Sequence, residues 1–289
     1  MLSVYRYDPF LIRIVGVMVT PMQNFRLIQL DELNPSSLNH PLCIIGMPGI
    51  ADIGKFAVDQ LIGIFKARKY CEIIFNDYPA GAIVDESLLS TPKAEILYYL
   101  DPKKKQDLIL ITADAQAMSP RGIYEISDYI ATLIHQLGVV KILALGAYPI
   151  KNAKAEQGSI YITSTETKYI DQFSNSGEAK KVSKGVIIGS NGLIPTLAKA
   201  RFGMEGIVLL AETDNSAIMN ENITDLQASI HLLELVGKHF NLPIKNNFSE
   251  NRITEISKDL ETKRKQLEEE LETIQPHVEL ADVDKSLYI

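Results

Sequence analysis

The sequence predicts an α/β domain, a central and mostly parallel sheet flanked by helices. Three observations carry that expectation. From Leu42 onward, short apolar runs alternate with amphipathic stretches. Glycines or polar turn residues separate the two kinds of segment, as at Gly46 and Gly138. Hydrophobic residues make up 46% of the 289 positions and charged residues 22%, a globular balance with enough apolar mass for one sizeable core.

Each element has its own signal. Phe10 to Val19 is apolar but contains Arg13, and the clean run Ile14–Val19 is too short for a signal-peptide core or a membrane span. A strand within an N-terminal extension, residues 1–21, is the expectation there, with the domain occupying 22–246. Leu42-Cys43-Ile44-Ile45 predicts a buried strand ending at Gly46. Apolar residues at 53, 56, 57, 61, 64 and 65 then predict a helix from Ile53 to Lys66. Cys71–Phe75 and Leu108–Thr112 predict further strands. Ser119 as N-cap, Pro120 at the first helical position and Gly138 past the end bracket a helix through Gln136. Strands are expected at Val139–Leu145, Gly185–Ile188 and Gly206–Leu210, and helices at Leu193–Arg201 and Leu226–Phe240. Lys151–Gly158 and Ser174–Lys184 are polar and suit exposed connections.

Composition changes after Asn247. Ile253, Leu260, Leu267 and Ile274 recur every seven residues among mainly charged neighbours, with Glu261 one turn before Lys265. That pattern predicts a charged helix over 250–275 with one narrow apolar stripe. Pro276 ends it, leaving a flexible tail over 276–289 that closes on Leu287-Tyr288-Ile289. A terminal carboxylate beside these side chains suits capture by a basic, apolar slot on a partner.

Charge narrows the classes of function. The net charge is −7, and residues 250–289 hold eleven acids against six bases, so the preceding body is close to neutral. No basic stripe is present to neutralise phosphates, which argues against nucleic acid. Cys43 and Cys71 stand singly in apolar stretches, as buried reduced thiols of a cytoplasmic protein do. No metal-ligand spacing, cofactor fingerprint or catalytic set emerges, so neither cofactor nor enzyme activity is expected. His231-Leu232-Leu233-Glu234 lacks the second histidine of a zinc helix, and the carboxylates Asp77, Asp85, Glu86, Glu212 and Asp214 sit where turn formers and caps do.

One motif imitates a phosphate loop. Gly46, Gly49 and Gly54 with Lys55 link a strand to a helix, but Phe56 stands where a magnesium-binding hydroxyl is required. The glycines then serve a tight turn and close packing, while a nucleotide- or nucleoside-binding enzyme using the Gly46–Lys55 turn stays open as the alternative.

The same residues carry a family resemblance. Gly46-Met47-Pro48-Gly49 with Ile53-Gly54-Lys55, then Asp77-Tyr78-Pro79, Asp107 through Gln116, Leu145-Gly146-Ala147-Tyr148, Gly189-Ser190-Asn191-Gly192-Leu193 and Gly206 through Thr213, resemble in order and spacing the proteasome assembly chaperone two family. The resemblance implies a single domain with a nucleoside phosphorylase-like sheet, self-association into a homo-oligomer, and no catalysis. The tail resembles the hydrophobic-Tyr-any (HbYX) termini that dock between α-subunits of the proteasome core particle. On that likeness Leu287 is the hydrophobic position, Tyr288 the penultimate tyrosine and Ile289 the carboxylate donor, with the core-particle α-subunits as partner.

Overall fold

The computed structural model describes residues 24–85, 87–151, 158–214 and 224–244, residues 253–258, 261–262 and 265, and the backbone of 13–14 and 17–18. The chain forms two compact units, Met1–Val236 and Gly237–Ile289. All the described strands lie in the first. β1 (Arg13–Ile14) and β2 (Val17–Met18) pair as a short antiparallel ribbon. The main sheet uses β3 (Phe25–Gln29), β4 (Leu42–Gly46) and β5 (Arg68–Phe75). After a hairpin of β6 (Ile83–Asp85) and β7 (Leu88–Ser90) come β8 (Ala94–Tyr99), β9 (Leu108–Ala113) and β10 (Lys141–Ile150). β11 (Ile160–Ser164), β12 (Lys180–Lys181) and β13 (Glu205–Asp214) complete the set. The helices are α1 (Ile53–Phe65), α2 (Pro120–Gln136), α3 (Thr167–Asn175), α4 (Ser190–Phe202) and α5 (Leu226–His239).

Nine strands lie in the order β12-β11-β13-β10-β4-β9-β8-β5-β3. The centre, β13-β10-β4-β9, is parallel, as alternating strands and helices dictate. β8, β5 and β3 continue antiparallel on one side, and β11 joins antiparallel on the other. Central strands are apolar on both faces because both faces are covered. Cys43, Ile45, Ile109, Ile111, Ile142 and Ala144 share one core with Ile126, Ile130 and Ile134 of α2 and Ile194 and Ala198 of α4. The alternate residues face α1, which packs on β4, β9 and β10. Ser119 caps α2 as its sequence predicts: its hydroxyl accepts from the Gly122 amide at 2.9 Å, Pro120 opens the helix, and Gly138 follows at φ +76°.

Two expectations need correction. Gly185–Ile188 is not a strand; Val186 and Ile188 are exposed, and the sheet edge is taken instead by Lys180–Lys181. The apolar run therefore pairs with nothing in the sheet, although Ile187 packs against Gly192. The polar connection Ser174–Lys184 in turn contains the end of α3 and all of β12. Among the described residues, no helix is long and apolar enough to cross a membrane.

Candidate functional site

The glycine turn is built for contact between backbones. A Cβ on Gly46 would collide with the Gly54 carbonyl, and one on Gly54 with the carbonyl of Leu145. The first turn of α1 thus lies directly on β4 and β10, where only glycine fits. Gly49 is different: it is extended at φ −177° with open space around it. Ala51 (φ 52°) and Asp52 (φ 45°) then turn left-handed, an uncommon conformation for residues with a Cβ. The Ala51 carbonyl is held by the Asp225 amide at 3.0 Å.

Electrostatics at the turn disfavour phosphate. Asp52 sits at the N-terminus of α1, where an anion would bind, and its carboxylate accepts from the Gly49 amide at 3.4 Å. Burial pushes its carboxyl above the usual range. Lys55 is engaged by Asp59 at 3.0 Å and lies 3.5 Å from the Thr112 hydroxyl. Burial also raises the Asp59 carboxyl, with Lys55 opposing. Phe56 is buried. A phosphate here would face one carboxylate and compete with another for the lysine.

A second arrangement, unforeseen from sequence, gathers segments that leave the carboxyl ends of β4, β5 and β9. The Asn191 side chain accepts from the Met47 amide at 3.0 Å and donates to the Met47 carbonyl at 3.3 Å. Gln116 donates to the Pro48 carbonyl at 2.6 Å and accepts from the Ser190 amide at 3.1 Å. Gly189, at φ +94°, lies so close to Gln116 that a Cβ would strike its amide. Asp77 accepts from the Ser119 amide at 2.8 Å and its hydroxyl at 2.9 Å, and the Asp77 carbonyl accepts from the Met118 amide. Gly122 leaves room for that carboxylate. Met47, Pro48, Asp77, Gln116 and Gly189–Asn191 belong to the segments whose order and spacing carry the family resemblance; Met118, Ser119 and Gly122 do not. Their spatial meeting has no sequence signal, since amides and a serine 40 or more positions apart show no periodicity.

This clamp positions loops; its members hold one another. Asp114, at the strand end a phosphate loop would use for metal, instead accepts from the Lys93 amide at 3.1 Å. Glu212 accepts from the Ser159 amide at 3.4 Å. His135 stacks on Phe202 at 4.3 Å. Burial pushes the Cys71 thiol up to about 12 and the Cys43 thiol further. Among the described residues, no group of three or more His, Cys, Asp or Glu side chains could hold a metal ion.

A family model matches residues 43–275 of the chain. The chain belongs to the PAC2 family. A relative from Methanocaldococcus jannaschii, an uncharacterized protein, is 27% identical over 235 residues, covering 81% of this chain and 86% of the relative. Among solved structures, Pyrococcus furiosus PbaB, described as an archaeal proteasome activator, superposes with a TM-score of 0.71 at 24% identity, covering 86% of this chain and 100% of PbaB. Pyrococcus furiosus PbaA, described as an archaeal homolog of proteasome-assembly chaperone, gives 0.63 at 19% identity, covering 87% of this chain and 94% of PbaA. At such identities the structural likeness speaks for the fold.

The expected docking residues Leu287, Tyr288 and Ile289 lie outside the described residues, as does all of 276–289. Of the charged segment, residues 253–258, 261–262 and 265 are helical, Ile256 is buried, and Glu261 pairs with Lys265 at 3.5 Å.

Proposed function

We propose that this chain is a non-catalytic proteasome assembly chaperone or adaptor. Its body self-associates, and Leu287-Tyr288-Ile289 docks into pockets of the core-particle α-ring. PAC2 membership is the observation that carries this reading, and the terminal tripeptide adds the means of contact. The fourteen residues from Pro276 to Ile289 reach roughly 45 Å when extended, enough to enter a pocket from a helix tip. One short tail binds weakly because ordering it costs about 1–2 kcal/mol per residue fixed. Several tails on one oligomer raise avidity when their spacing matches the ring.

Affinity capture of core particle by the full chain tests the proposal. Tyr288→Ala and deletion of Leu287–Ile289 should each lower capture at least tenfold; undiminished capture by both overturns it. The nucleotide alternative is tested in parallel. ATP or a nucleoside should leave the melting temperature unchanged, as Asp52 and the Lys55–Asp59 pair require; a shift abolished by Lys55→Ala would revive it.

A further inference from the structure

Exposed aliphatic side chains gather at one end of the main sheet. β5 runs parallel to β9, being antiparallel to β8 as β9 is, so segments after β4, β5 and β9 all leave from the same edge. The β6–β7 hairpin follows β5, its base within six residues of Asp77, or roughly 20 Å of extended chain. Its return leads into β8, which starts opposite the end of β9. The hairpin therefore rises from the clamp.

Among the described residues, nothing covers either face of this hairpin near its tip. Adjacent strand residues point to opposite faces, and Val84, Leu88 and Leu89 are each at least 66% exposed. Among the described residues β6 and β7 pair only with each other. A two-stranded ribbon is marginal alone and keeps both outer edges open to another strand. The same end carries a receptor of matching character. Met118, Val186 and Ile188 are also at least 66% exposed. They lie within a few residues of the contact that Gln116 makes with Gly189 and Ser190.

We propose that the β6–β7 ribbon is a self-association arm that seats on the Met118/Val186/Ile188 rim of a second copy of this chain. The inference deepens the self-association part of the proposed function and rests on it. One chain carries both halves of the contact, which is what a two-fold pair requires: arm on rim, twice. Six such side chains from each of two chains cover on the order of 1,000 Å², about the lower bound of a specific interface.

The test measures the mass of the full chain in solution by light scattering. Wild type should exceed the 32.2 kDa of one chain. Leu88→Glu/Leu89→Glu and Val186→Glu/Ile188→Glu should each fall to the single-chain mass, with melting checked separately. An equimolar mixture of the two should recover a larger species, because the intact arm of one fits the intact rim of the other. As a variant-tolerant second measure, a mixture of Leu89→Cys and Ile188→Cys chains should form an interchain disulfide, the native thiols being buried. A single-chain mass for wild type, an unchanged mass for either variant, or a mixture that neither reassociates nor cross-links overturns the proposal. A different protein as occupant of the arm gives that last result. Deleting Leu287–Ile289 should leave the mass unchanged while abolishing core-particle capture, so either reading can fail without the other.

Discussion

The parallel centre and the antiparallel flank of the main sheet solve the same burial problem differently. In the centre, β4 and β9 are buried at every position, because α1 covers one face and α2 with α4 the other. In the flank, β5 alternates between more and less buried positions from Tyr70 onward. Its apolar residues Cys71, Ile73 and Phe75 join the α2 core, while Glu72 and the paired Glu95 of β8 lie on the α1 face. There Lys93 reaches Glu72 at 3.5 Å and Lys69 reaches Glu95 at 2.5 Å. Where one of the described helices covers the sheet, close approach sets the residues; where none of them does, a lattice of alternating charges takes over.

Substitutions of graded severity test that contrast. Gly54→Leu in the centre should have the largest effect, since backbone would have to move off backbone. A loss of about 3 kcal/mol or more in urea unfolding is expected, and a loss under 1 kcal/mol would mean that α1 can slide. Asn191→Ala comes next. It strands the Met47 amide and carbonyl in a buried site, for a loss of about 1–3 kcal/mol. Glu72→Gln in the flank should cost only about 0.5 kcal/mol and lose even that difference in high salt. A larger, salt-independent cost would show that the flank is as tightly determined as the centre.

The smallest effect concerns pH. Burial raises the Asp52 carboxyl above its unfolded value, so the folded state binds the extra proton. That contribution is complete below the unfolded pKa and is lost as pH rises through the folded one. Asp52→Asn should therefore flatten the fall in stability with rising pH just above the carboxylate range and leave the neutral-pH fold equal or slightly more stable. A steeper fall in the variant would show that the charged carboxylate is favoured at the turn.

The same contrast explains what was legible in the sequence. Central strands are continuous apolar runs, and Leu42–Ile45, Leu108–Thr112 and Gly206–Leu210 stand out against their surroundings. In the flank, β5 alternates, Phe25–Gln29 is partly or fully exposed at every position and Ala94–Tyr99 is interrupted by Glu95, so only the Cys71–Phe75 part of β5 is legible. Gly185–Ile188 misleads for the opposite reason: Val186 and Ile188 are surface, and only Ile187 packs against the core. Glycine spacing at Gly46 and Gly54 is visible in the sequence, but that backbone fills the space of each missing Cβ and that Lys55 is committed to Asp59 is visible only in the fold. The clamp was out of reach because hydrogen-bonding partners such as Met47 and Asn191 are distant in sequence and unpatterned.

The Asn191 clamp has a further consequence, for the chemical ageing of the chain. Asn191-Gly192 is the only Asn-Gly step in the sequence, and in flexible chain such a step readily cyclises and deamidates when the following amide nitrogen attacks the side-chain carbonyl. Here both side-chain atoms are held by Met47, and the Gly192 amide donates to the Gly189 carbonyl at 3.2 Å. The fold thereby keeps the attacking nitrogen and its target apart. Deamidation at this step, followed by mass spectrometry, should be slow in the folded protein and fast once it is unfolded, so that the survival of one amide records how long each molecule has stayed folded.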